Sequence, residues 1–144
     1  MHIWYKFLTY LFYPFAPFYL YFRILKKKED PKRYKEKLSK TDVQRDEGFL
    51  IWFHVASVGE AMSILPLIEN FENDKNIKKI LITTITLSSA QILKKKYDYS
   101  KKIIHQFLPL DVPIFVNKFL NYWNPNLAIF IDSEIWPNLI LSIK

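Results

Sequence analysis

Two glutamates stand where a carboxylate could do chemistry. Glu60 closes the string Ser57-Val58-Gly59-Glu60 directly after an apolar run, and Glu134 closes Asp132-Ser133-Glu134 after another. A carboxylate that opens a helix feels the partial positive charge of the helix N-terminus and stays ionised. At the mouth of a cleft it could take a proton from an incoming hydroxyl. The same position also suits an acid that only stabilises its own first turn, and the pattern alone leaves both readings open. Glu134, just before Ile135-Trp136-Pro137, could orient a substrate hydroxyl or hold its loop through backbone hydrogen bonds. Hydroxyls are concentrated in T-T-I-T-L-S-S, Thr83 to Ser89.

Other chemistries are excluded by composition. Cysteine is absent, so neither a disulfide framework nor a thiolate metal site is possible. His2, His54 and His105 lie far apart, with no metal-ligand spacing between any two, so no metal is expected. Gly48 and Gly59 are the only glycines, which rules out a glycine-rich G-x-G-x-x-G phosphate cradle within this segment. Gly59 would permit a tight turn and the close approach of a ligand.

The elements that must carry these residues alternate along the chain. Phe49–Val55 is a continuous apolar run, as expected of a buried parallel strand. A turn and a helix from Glu60 to about Phe71 follow, with Pro66 expected to distort the helix. Ile77–Thr84 reads as a strand, Ser88–Tyr97 as a helix, Ile103–Leu108 as a strand, and Val112–Trp123 as a helix with Pro113 in its first turn. Leu127–Asp132 reads as a fourth strand leading into Ile135–Ile143. This order predicts an α/β fold, a Rossmann-like parallel sheet with flanking helices. Ligands of such sheets bind beyond the carboxyl ends of the strands. Ala56–Glu60, Thr84–Ser89 and Asp132–Trp136 all fall there.

Ahead of this domain (49–144) lie an aromatic segment (1–25) and a basic helix and connector (26–48). Met1 to Leu25 holds eleven aromatic residues and only two charged ones, Lys6 and Arg23. The 16 residues between these charges, interrupted by Pro14 and Pro17, fall short of the about 20 that a spanning helix needs. Tyr and Trp prefer the membrane interface, so the expectation is a membrane-associating helix lying in the bilayer face. Trp4, Phe12 and Phe18 would touch lipid. A core helix packed on the rest of the domain is the plain alternative. Lys26 to Lys40 adds eight Lys and Arg against three acids, part of a net charge of +7. Lys26, Lys27 and Lys28 head this run and would contact anionic headgroups, although a solvated linker is the bland reading. Nucleic-acid binding is not expected, because the aromatics beside the basic run are membrane-like.

Read together, H-V-A-S-V-G-E, T-T-I-T-L-S-S, H-Q-F-L-P-L-D-V-P and D-S-E-I-W-P-N-L-I resemble, in order and spacing, the N-terminal domain of 3-deoxy-D-manno-octulosonic acid (Kdo) transferases. These are lipopolysaccharide glycosyltransferases of the two-domain GT-B fold. The resemblance implies transfer of Kdo from CMP-Kdo to a lipid A precursor (lipid IVA), with inversion, without a metal or other cofactor, at the cytoplasmic face of the inner membrane. It makes Glu60 the general base, puts Glu134 in the active cleft, and assigns acceptor binding to Ser57, Gly59, Thr84, Thr86 and Ser88. The donor-binding half is expected to lie outside this sequence, on a separate chain if one exists. The alternative is a non-catalytic membrane-surface fragment that binds anionic glycolipid. There are departures from the family pattern. E-T-E is Asp132-Ser133-Glu134 here. Leu87 and Ser89 stand where proline and glycine are common. Glu36-Lys37-Leu38-Ser39 replaces an E-R pair followed by glycine, with the loss of a bidentate arginine contact.

Overall fold

The computed structural model of the protein describes residues 2–131 and 135–143. Four parallel strands form one sheet in the order β3-β2-β1-β4: β1 (Phe49–His54), β2 (Ile77–Thr84), β3 (Ile103–Phe107) and β4 (Leu127–Phe130). All four expected strands are present, and the architecture is the expected α/β one, a parallel sheet with flanking helices. The helix expected after β1 is divided into α3 (Val58–Ser63) and α4 (Leu65–Asn73). Pro66 is the cause: it has no N–H to donate, so it sits in the first turn of a new helix. Helix α5 covers Leu87–Tyr97 and α6 Pro113–Trp123, with Pro113 in its first turn as expected. Asn124, at φ 39°, ends α6 in the left-handed conformation that asparagine tolerates at a helix end. Helix α7 covers Pro137–Ser142.

The described residues fall into two compact units. One holds 44–108 and 125–131, the sheet with α3, α4 and α5. Its core joins Ile51, Phe53 and Val55 of the β1 segment to Ile80 and Ile82 of β2, under Ala61, Ile64, Leu65 and Ile68. Leu50, Trp52 and His54 on the opposite face of β1 are also buried, which is why that strand reads as an unbroken apolar run.

The other unit holds 2–43, 109–124 and 135–143. This division differs from the expected boundaries near residues 25 and 48, because the N-terminal segment shares a core with later residues. Helix α1 (His2–Phe12), a 3-10 turn (Tyr13–Phe15, containing Pro14) and α2 (Ala16–Leu25, with Pro17 in its first turn) follow one another directly. Ala16 and Leu20 are fully buried against Leu38, Val112 and Phe115. The expected basic helix is instead a turn followed by a 3-10 helix, Tyr34–Leu38. No helix among the described residues is long and apolar enough to cross a membrane.

Candidate functional site

The sheet order identifies the place where a ligand would sit. The chain runs from β1 outward to β2 and β3, then returns to add β4 on the opposite side of β1. Carboxyl ends of strands diverge at such a reversal and open a crevice. The loop leaving β1 carries Ser57, Gly59 and Glu60. Glu134 follows β4 in the sequence and lies outside the described residues. Ile131 N–H donates to His54 O at 3.1 Å, so the pairing with β1 continues to Ile131.

Glu60 is tied into its own helix end. Ser57 is the N-cap of α3, and its hydroxyl accepts from Glu60 N–H at 3.2 Å. In return, Glu60 Oε2 accepts from Ala56 N–H at 2.7 Å and Ser57 N–H at 3.2 Å, completing a capping box. Among the described residues, Oε1 makes no hydrogen bond. Burial alone would raise the pKa of this carboxyl. The Ala56 and Ser57 N–H groups, the Ser57 side chain and the charge of His54 outweigh burial and hold it below its ordinary value of 4.5. The group is therefore an anion at neutral pH, with one oxygen committed to the backbone.

Gly59 corrects one expectation. Its φ is not positive, so the turn does not require glycine, and a Cβ there would meet only Ser57 Oγ at 4.0 Å. What this glycine leaves is open surface beside Glu60. Strained backbone belongs instead to Gly48, at φ +115°, where a Cβ would press on Lys78 Cβ at 2.8 Å.

At the end of β2 the hydroxyls divide by depth. Thr84 is buried and its Oγ1 lies 2.8 Å from His105 Nε2, behind the loop surface. Thr86 is the N-cap of α5, accepting from Ser89 N–H at 3.3 Å, and Ser88 is exposed. A buried polar row that sequence reasoning missed lies beneath. Trp52 Nε1–H donates to Thr83 Oγ1 at 2.8 Å, and His54 Nδ1 lies 2.9 Å from the same oxygen. His54 and His105, distant in sequence, thus both pair with threonines of β2. The signal was present in an apolar strand that ends on histidine beside one that ends on two threonines. Among the described residues, no three His, Cys, Asp or Glu side chains are grouped as metal ligands.

The expected lipid contacts separate in the same way. Trp4 and Phe18 are 72 % and 67 % exposed. Phe12, by contrast, is half-buried against the Ala16–Leu20–Phe115 cluster and lies edge-on to Tyr19 at 5.6 Å. Lys26, Lys27 and Lys28 are exposed on the turn after α2, with Lys27 at φ 55°. The basic run is smaller than its sequence count. Lys37 is buried with its Nζ 2.8 Å from Glu29, which also takes Arg23 Nε–H at 2.6 Å. Burial pushes the Lys37 ammonium below its ordinary pKa despite Glu29. Arg33 forms a two-pronged pair with Glu36, at 2.7 and 2.9 Å. Ser39 holds φ 54° and donates its hydroxyl to Phe115 O at 2.6 Å.

Comparison with known proteins agrees with this architecture. The profile of the family described as 3-deoxy-D-manno-octulosonic-acid transferase (kdotransferase) matches residues 31–144. A 3-deoxy-D-manno-octulosonic acid transferase of Rickettsia bellii is 43 % identical over 136 residues, 94 % of this chain and 32 % of its own length. A probable mitochondrial enzyme of that name from Arabidopsis thaliana is 36 % identical over 138 residues, 96 % of this chain and 30 % of its own. One from Haemophilus influenzae is 37 % identical over 90 residues, 62 % of this chain and 21 % of its own. The chain thus spans about a third of the length of the curated relatives it matches. It belongs to the Kdo transferase family of glycosyltransferases.

Proposed function

We propose that this chain is the acceptor-binding part of an enzyme that transfers Kdo from CMP-Kdo to lipid IVA at the cytoplasmic face of the inner membrane. CMP-Kdo is held by a donor-binding half, on a further segment or a separate chain. The observation that carries the reading is the position of Glu60: an ionised carboxylate beside open surface, at the strand-order reversal where ligands of parallel sheets bind. In the proposed reaction, Glu60 Oε1 takes the proton of the acceptor hydroxyl while Oε2 stays on the Ala56 and Ser57 N–H groups. The acceptor oxygen attacks the anomeric carbon of Kdo from the face opposite CMP, the glycosidic bond to phosphate breaks, and CMP leaves with its electron pair. The configuration inverts. Neither a metal nor a cofactor takes part, and Ser57, Thr86 and Ser88 offer exposed hydroxyls to the acceptor sugar.

Attachment to an anionic bilayer is supported by the exposed aromatic residues of α1 and α2 together with the adjoining Lys26–Lys28 turn. The partners are then the lipid A precursor and the membrane, and not nucleic acid. A second reading rests on Glu60 as well. Its capping box accounts for the residue without any chemistry, as in a non-catalytic fragment that only binds anionic glycolipid. A transfer assay separates the two. The chain with a donor-binding half from a family relative should move labelled Kdo onto lipid IVA, and neither part alone should. Turnover by the 144-residue chain alone would overturn the division of labour. Absence of turnover with the donor half supplied would favour the non-catalytic reading.

A further inference from the structure

Asp111 lies between β3 and α6 and is buried, and its carboxylate gathers donors from both ends of the chain. Oδ2 accepts from Tyr5 O–H at 2.9 Å and Asn138 N–H at 3.1 Å, and Oδ1 accepts from Leu139 N–H at 2.9 Å. The Asp111 carbonyl accepts from Asn138 Nδ2 at 2.7 Å, and the same amide donates to Thr9 Oγ1 at 2.9 Å. One acid therefore receives the first free N–H groups of α7, which the chain's own helix cannot satisfy, and also holds the inner side of α1. The outer side of α1 presents Ile3, Trp4, Phe7 and Leu8 to solvent. Burial, the hydrogen bond and the Asp111 charge together push the Tyr5 phenol up to about 12, so it remains a donor throughout the physiological range. A helix cap alone would need neither Tyr5 nor Thr9.

We propose that Asp111 is a positioning residue that joins the lipid-facing helix α1 to the start of α7 at Trp136–Pro137, so that seating α1 on a lipid surface and ordering the α7 start occur together. This rests on the membrane-surface reading above. The contacts form one continuous network, buried at Asp111 and partly buried at α1, through which an opening at either end is felt at the other.

The test is hydrogen exchange on the full chain, with and without vesicles of phosphatidylethanolamine and phosphatidylglycerol, with co-sedimentation measured separately. Without lipid, Tyr5→Phe and Thr9→Val should each speed exchange in 137–142 roughly fivefold, the equivalent of one net hydrogen bond. An acid that only caps α7 would leave those amides unmoved by either change, and that result would overturn the proposal. With lipid, the wild type should slow in 137–142 as well as in 3–12. The double variant Tyr5→Phe/Thr9→Val should slow in 3–12 alone. Sedimentation without slowing in 137–142 leaves the lipid reading standing and overturns the coupling. A chain that fails to sediment overturns both. Because both substitutions leave Asp111 and the α7 N–H groups it accepts from in place, the outcome does not depend on whether Asp111→Asn folds.

Discussion

Replacing Glu60 by alanine removes the acceptor for the Ala56 and Ser57 N–H groups, and the loss of a helix cap costs about 0.5–2 kcal/mol. Glu60→Gln keeps the acceptor and loses the charge, so thermal denaturation separates the two contributions. The folded pKa is depressed, so the stability due to the charge is present above the ordinary 4.5 and is lost as pH falls through the folded value. The midpoint difference between wild type and Glu60→Gln should therefore be constant near neutrality and shrink on acidification below 4.5. A difference that persists in strong acid would mean that the charge is not its source. Glu29 makes the contrasting case. Its loss strands Lys37 in the interior without its carboxylate, and breaking such a buried pair costs about 3–5 kcal/mol, so Glu29→Ala should be far more damaging than Glu60→Ala in urea denaturation. An equal effect would mean that Lys37 escapes to solvent. At this scale the sequence was partly legible. S-x-x-E is the capping-box signature, yet the same four residues read equally well as a catalytic loop, because a cap and a base both need an ionised acid at a helix start. Gly59 was assigned a turn that its backbone does not make.

Along α1 and α2, the residues facing inward are Tyr5, Thr9, Phe12, Ala16 and Leu20, three or four apart, and most of the remaining apolar residues face outward. The excess of aromatics beyond a packing stripe was legible in the sequence, but which residues formed the stripe was not: Phe12 and Phe18 are the same residue type, and only long-range contacts to Val112 and Phe115 separate them. Removing 1–25 would thus take Ala16 and Leu20 out of a core and confuse unfolding with release. Point changes avoid this. Trp4→Ser and Phe18→Ser should weaken vesicle binding, each by about 1.5–3 kcal/mol if fully buried in lipid, and the loss should persist in high salt. Changing Lys26, Lys27 and Lys28 to Gln should cost about 1 kcal/mol per residue at low salt and little in high salt, where charges are screened. Co-sedimentation across a salt series distinguishes the two. Binding that high salt abolishes in the wild type would contradict an apolar anchor.

For the molecule as a whole, the four strands were legible because a strand covered on both faces leaves a local mark, an unbroken apolar run. The association of 2–43 with 109–124 and 135–143 left none. It depends on Asp111 and Asn138, buried polar residues whose partners lie at remote sequence positions. The strand-order reversal between β1 and β4 was likewise hidden, since the sequence gives the succession of strands and not their neighbours. With that reversal in view, the claim that matters most is that Glu60 serves as the acceptor base. The measurement is steady-state Kdo transfer to lipid IVA by the chain supplied with a family donor-binding half, comparing wild type with Glu60→Gln. General-base catalysis contributes about 100- to 10,000-fold, so turnover should fall by that order while the fold and vesicle binding are retained. Turnover within a factor of about three of wild type, far inside that range, would contradict the account and leave the capping box as the whole role of Glu60.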